Sequence, residues 1–228
     1  MKLGAAALCV VAALPLAAQT PTIKLDSTTK LIPVNARLVW EEHRGRRSLT
    51  FAPLAGQEFA NDVEMWAVIA GSDFQDGTIE LDLAGVRRQG YSDDNVSGFK
   101  GFVGVSFRVR ADTSERFYLR PHNARLPEQI FRNRSTQYEA TPDYPWDRLR
   151  RENPGAYESY VDLEPDAWTH VKIEVSGKTA RMFVNGASQP ALVVSDLKHG
   201  VSRGAIALWS RISAQAHFAN LKVTPKQL

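Results

Sequence analysis

An all-β domain of two packed antiparallel sheets is the fold class this sequence predicts. Three observations carry that expectation. Apolar and polar residues alternate at period two in one segment after another. Turn dipeptides and glycines, among them Asp76-Gly77, Ser176-Gly177 and Asn185-Gly186, fall between those segments. No helical periodicity runs longer than a turn or two. About a dozen short strands of this kind must bury one face each, and two stacked sheets do that.

The chain opens on Lys2, an apolar run over residues 3–16, and Ala17-Ala18 before Gln19. That order predicts a secretory signal over 1–18, too short for a membrane span, followed by one domain over 19–228. The expected location is secreted or periplasmic. Cys9 is the single cysteine, so a chain cleaved after Ala18 has no disulfide, no thiol nucleophile and no thiolate metal site. Such a domain rests on its core, which 43% hydrophobic content can supply.

The first strand candidates are 38–40, 48–52 and 65–70. In 78–83 Ile79, Leu81 and Leu83 share one face, and Glu80 and Asp82 the other. In 103–110 Val103, Val105, Phe107 and Val109 oppose Ser106, Arg108 and Arg110. In 116–120 Phe117 and Leu119 oppose Arg116, Tyr118 and Arg120. Val171, Ile173 and Val175 then oppose His170, Lys172 and Glu174. Segments 180–186, 191–196, 204–210 and 216–223 complete the set. Residues 121–156 lack strand character and read as a long loop stiffened by five prolines, with a short helix at 146–153 stopped by Pro154.

The net charge is +3, and the basic residues are mostly arginine without a lysine block. No nucleic-acid partner is expected. The five histidines lack zinc spacing. Residues 61–64 and 91–95 offer oxygen ligands for calcium but lack EF-hand spacing, so no cofactor is expected. A Gly-x-Ser-x-Gly elbow and a phosphate-binding glycine loop are both missing.

The stretch 160–186, YVDLEPDAWTHVKIEVSGKTARMFVNG, resembles the paired-strand signature of concanavalin A-like lectin and glucanase jelly rolls. There a Trp opens a strand, a Gly turn follows, and the next strand ends in Asn-Gly or Asp-Gly. GAIALWSRISAQAHFANLKV resembles their closing strands, and DFQDGTIELDL an early core strand. Within that superfamily the layout is similar to laminin G-like domains and to the 3-keto-disaccharide hydrolases. The resemblance implies a two-sheet antiparallel jelly roll and a carbohydrate ligand, bound and in some members cleaved. One departure stands out. Retaining glucanases of this fold carry Glu-x-Asp-x-x-Glu, and here Glu80 and Asp82 match while Gly85 occupies the acid/base position. Standard glucanase chemistry, which needs two carboxyl groups, is therefore not expected.

If the alternating segments are neighbours, Glu80, Asp82 and Arg108 form a groove floor. Arg120, His122, Asn123, Gln137, Asp143, Tyr144 and Trp146 then line the site from the rim and the long loop. Planar guanidinium and carboxylate groups bracket sugar hydroxyls, and aromatic rings cover the apolar sugar face. If the protein is an enzyme, His122 and Asp143 are the proton-transfer candidates. The alternatives are a non-catalytic glycan-binding module, a laminin G-like interaction domain, or a solvated ladder of cross-strand ion pairs with no ligand.

Overall fold

The computed structural model describes residues 22–60, 63–91 and 100–226. The proposed leader, Asn61, Asp62 and residues 92–95 of the calcium candidates lie outside the described residues. Fifteen strands follow in chain order: β1 (Ile23–Lys24), β2 (Leu31–Val34), β3 (Arg37–His43), β4 (Arg46–Ala52), β5 (Glu64–Ile69), β6 (Gly77–Arg87), β7 (Val103–Arg110), β8 (Thr113–Leu119), β9 (Thr136–Thr141), β10 (Glu158–Ser159), β11 (Thr169–Ser176), β12 (Thr179–Val184), β13 (Leu192–Val194), β14 (Ala205–Arg211) and β15 (Ala214–Pro225). Two short helices, α1 (Gln129–Arg132) and α2 (Trp146–Glu152), flank β9.

The strands form two antiparallel sheets. The first runs β13-β12-β11-β6-β15-β4-β3, with β1 added on β15. The second runs β10-β9-β8-β7-β14-β5-β2. Between them lies the core. Ile79, Leu81 and Leu83 pair in register with Ile173, Val171 and Thr169. From the second sheet come Val105 and Phe107, Phe117 and Leu119, Ile206 and Leu208, and Met65 and Ala67, all essentially without solvent contact. The period-two faces expected for β6, β8 and β11 are the faces observed. Burying a single Leu, Val or Phe in such a layer contributes about 1.5–3 kcal/mol, so the double row is the main stabilising term.

Arg108 breaks the expected alternation of β7. Pairing slips on both sides of it, between Phe107 and Arg110 towards β8 and between Ala205 and Ala207 towards β14. Its φ is +53°, in the left-handed region. The bulge turns its side chain off the outer face and into the end of the sandwich. There Nε donates to the Gln75 carbonyl, Nη1 to that of Gly200, and Nη2 to that of Gly177 and to Asp76 Oδ1. Gly204 faces this bulge because a Cβ there would sit 2.5 Å from the Val109 carbonyl oxygen.

The long loop is also corrected. The helix over 146–152 is present, but 136–141 is a strand, β9, paired along β8 from Ser114↔Thr141 to Leu119↔Thr136. Only Tyr138 and Ala140 of that strand face the core. Two apolar positions among Thr, Gln and Glu are too few to show a period.

The edge strands are short or charged. β10 and β13 have two and three residues, β2 has four including Pro33, and β3 carries Arg37, Glu41, Glu42 and His43.

Candidate functional site

The expected groove floor is divided between two sheets. Glu80 and Asp82 lie on the outer face of the first sheet, whereas Arg120 follows β8 in the second. Asp82 is saturated: it takes Arg46 Nη1 at 2.6 Å, Asn220 Nδ2 at 2.7 Å and His170 Nδ1 at 2.8 Å. Glu80 faces Lys222 at 3.9 Å. Arg108 joins neither, for the reason given above. These three residues do not share a floor with Arg120.

The remaining predicted residues separate as well. Arg120 and Gln137 come together on the second sheet, and Trp146 sits against Glu139, two residues along the strand from Gln137. Arg120 Nη2 donates to Tyr118 Oη at 2.9 Å and to Gln137 Oε1 at 3.1 Å, and Nη1 to the Arg134 carbonyl. The Trp146 N–H donates to Glu139 Oε2, and the Arg150 guanidinium lies 4.6 Å from the Trp146 ring centroid. Asn123 is buried and supports the same corner, donating to the Arg134 carbonyl. His122 and Asp143 engage other partners. His122 Nε2 accepts the Arg87 N–H at the end of β6, and burial with Arg87 nearby lowers its pKa. Asp143 is exposed in the turn before α2, with its carbonyl bonded to Arg148. Tyr144 packs towards the core, with Arg148 over its ring at 4.5 Å. The proposed His122–Asp143 proton-transfer pair is therefore not assembled.

Register then places a second set of residues on the outer face of the second sheet. Glu139 pairs with Arg116, Arg116 with Ser106, and Ser106 with Ala207. One step along, Gln137, Tyr118, Gly104, Trp209 and Trp66 form a continuous row across five strands. Gly104 is required in that row, because a Cβ there would sit 2.5 Å from Tyr118 Cβ. Arg116 is fully buried over this floor, 4.1 Å from the Trp209 ring and 4.9 Å from Trp66. It holds two carboxylates, Glu139 at 2.8 Å and Glu64 at 3.1 Å. Glu139 is almost entirely covered, whereas Glu64 keeps 28% of its side chain exposed. Glu64 and Trp66 open into a cavity of about 310 Å³, lined also by Val34, Val68, Val109 and the β7–β8 turn with its neighbours up to Ser114. Arg116 thus positions the wall, and Glu64 and Trp66 present it.

Trp66, Glu64 and Trp209 are absent from the expected site. The signal was present: EMWAV alternates, and its outward set is Glu64, Trp66 and Val68. A strand whose outward residues include a Trp and a carboxylate is a candidate ligand surface.

One group of possible metal ligands exists among the described residues. His43, Asp166 and His217 bring ligating atoms within 4.8 Å of one another on the first sheet. The two imidazoles are stacked, 3.8 Å apart and 7° from parallel. Their in-plane lone pairs run side by side, so one ring must turn before both converge on an ion.

No protein-family model and no curated protein matches the chain. Solved structures match over most of its length. The carbohydrate binding module CBM66 from Bacillus subtilis aligns with TM-score 0.56 at 14% identity, over 86% of this chain and 97% of that one. A Bacillus subtilis protein of unknown function with a galectin-like fold gives 0.54 at 10% identity, over 85% and 88%. The VIP36 exoplasmic/lumenal domain, in a form bound to Ca2+ and Man3GlcNAc, gives 0.52 at 10% identity, over 87% and 84%. With two antiparallel sheets in this order and these structural neighbours, the chain has the concanavalin A-like jelly-roll fold.

Proposed function

We propose that this protein is a carbohydrate-binding domain, acting outside the cytoplasm, that takes its ligand on the outer face of the second sheet. The observation that carries the reading is Trp66 beside Glu64 at the mouth of the 310 Å³ cavity. An indole supplies a flat apolar surface for the C–H face of a pyranose, and a fixed carboxylate accepts hydroxyl protons at its edge. Structural neighbours that include a carbohydrate binding module and a sugar-bound lumenal domain support it.

Binding without cleavage is the better reading of this wall. A glycosidase needs one carboxyl group free to donate a proton to the leaving oxygen. Glu64 and Glu139 are both ion-paired to the same guanidinium, which favours their ionised, proton-free form. The test is a glycan array followed by calorimetry on each hit with wild type and Trp66→Ala. Loss of the indole is expected to weaken binding tenfold or more, about 1.4 kcal/mol, with the folded spectrum retained. An unchanged affinity in the variant would remove this face from consideration. Accumulation of shortened glycan during the titration would favour the hydrolase reading instead.

A further inference from the structure

We infer that the glycan bound by this face carries a negative charge, and that Arg134 and Arg150 receive it. The inference rests on the carbohydrate reading above and names the class of ligand.

The opposite end of the same sheet face is built differently from the Trp66 end. Arg134 precedes β9, and Glu158 on β10 pairs with Gln137, so both sit at the rim beyond Arg120. Arg150 of α2 binds Glu158 with Nε at 3.0 Å and Nη2 at 2.6 Å, and Arg134 Nε approaches the same carboxylate at 3.5 Å. Arg120 lies behind them, 2% exposed, and its Nε has no hydrogen-bond partner. Lys100 completes the group. Burial first, and then the fields of Arg120, Arg150 and Arg134, bring its pKa down to about 8 against the opposing pull of Glu158.

Arg134 and Arg150 therefore share one carboxylate, and Arg120 and Lys100 add their positive fields to the same poorly solvated corner. Arginine does not relieve such crowding by losing a proton, so the arrangement carries an uncompensated positive field. An arriving anion is attracted there, and a bidentate one fits the guanidinium fork. A cleft of about 290 Å³ opens at this point, lined by Arg134, Arg150, Glu158, Ser159, Tyr160 and Ile130. Its rim is aromatic and cationic at once: Arg132 lies 5.0 Å from the Tyr160 ring and Arg150 covers Trp146. The row from Trp66 to Glu158 crosses the sheet from β5 to β10 in interstrand steps, on the order of 24 Å in all. That span suits a short oligosaccharide with its apolar sugar face at Trp66 and its acidic residue at the cleft.

Short oligosaccharides should be compared as matched sets: the free uronic acid, its methyl ester, and the sulfated neutral chain, by calorimetry at low and at physiological salt. At least one acidic form is expected to bind tenfold or more tightly than the neutral one, with the preference shrinking as salt rises. Binding of the carboxylate alone identifies a uronate ligand, and binding of the sulfate alone a sulfated one. Arg134→Gln and, separately, Lys100→Gln should each erode that preference by severalfold, whereas Trp66→Ala should weaken acidic and neutral forms alike. Lys100→Gln guards against a folding defect in the arginine variant. Equal affinity for charged and neutral forms would overturn the inference and leave the carbohydrate reading standing. Failure of every form to bind would overturn both.

Discussion

Arg108→Ala is expected to lower the unfolding free energy by about 3–5 kcal/mol, the range for breaking a buried ion pair from one side. The substitution removes every donor that serves the Gln75, Gly177 and Gly200 carbonyls and Asp76 from this side chain. It leaves three carbonyls without this donor and Asp76 with the Gly177 N–H alone, so the desolvation cost falls on the acceptors. Relief of the left-handed backbone is no compensation, because alanine shares the Cβ that makes φ +53° unfavourable. Arg108→Lys should recover only part of the loss, since a single ammonium does not span four acceptors. Urea titration gives the number directly. In a thermal scan the alanine variant should melt on the order of 10 °C lower, at the usual few degrees per kcal/mol for a domain of this size. A shift below 1 kcal/mol would mean that the end of the sandwich is not tied through this residue.

Acid should destabilise the fold through His217. The residue is 1% exposed, stacked on His43, with Nε2 lacking a partner and Nδ1 3.5 Å from Glu41 Oε1. Burial chiefly, and then the neighbouring His43, hold its pKa down to about 4, against 6.5 in an unperturbed chain. The unfolded state therefore binds this proton more readily than the folded state. Stability rises with pH across that interval, is fully present above about 6.5, and is lost as pH falls towards 4. The contribution lost by pH 4 is about 3 kcal/mol. His217→Asn should flatten the pH profile of urea unfolding between 6.5 and 4 by that amount. A wild-type profile that is already flat there would show that the ring protonates in place.

How much of this was legible in the sequence depends on what sets each feature. A strand such as β11 was readable because a half-buried strand must alternate, and Val171-Lys172-Ile173 records that directly. β9 was not, because its inner positions are Tyr138 and Ala140 and the Tyr hydroxyl is satisfied inside by donating to Glu115. A strand that buries a polar tip with its own acceptor does not look apolar. The grouping of Glu80, Asp82, Arg108 and Arg120 failed for a different reason. Outward direction is a local property of one strand, whereas membership of a sheet is set by pairings tens of residues apart. Arg108 adds a further lesson, since one residue with positive φ undoes a parity argument for its own position. The corner of Arg120, Asn123, Gln137 and Trp146 was visible as chemistry, but Lys100, Arg134 and Glu158 reach it from three separate places in the chain. Trp66 is visible too, in the alternation of Glu64-Met65-Trp66-Ala67-Val68.

The four sheet borders carry a consequence for how the molecule behaves when crowded. Two of them are two or three residues long, one is interrupted by a proline, and the longest is studded with charge. Three are too short or interrupted to template a neighbouring chain, and the charges of β3 disfavour pairing along the fourth. Copies held close together at high concentration are therefore poorly matched for seeding cross-β fibres.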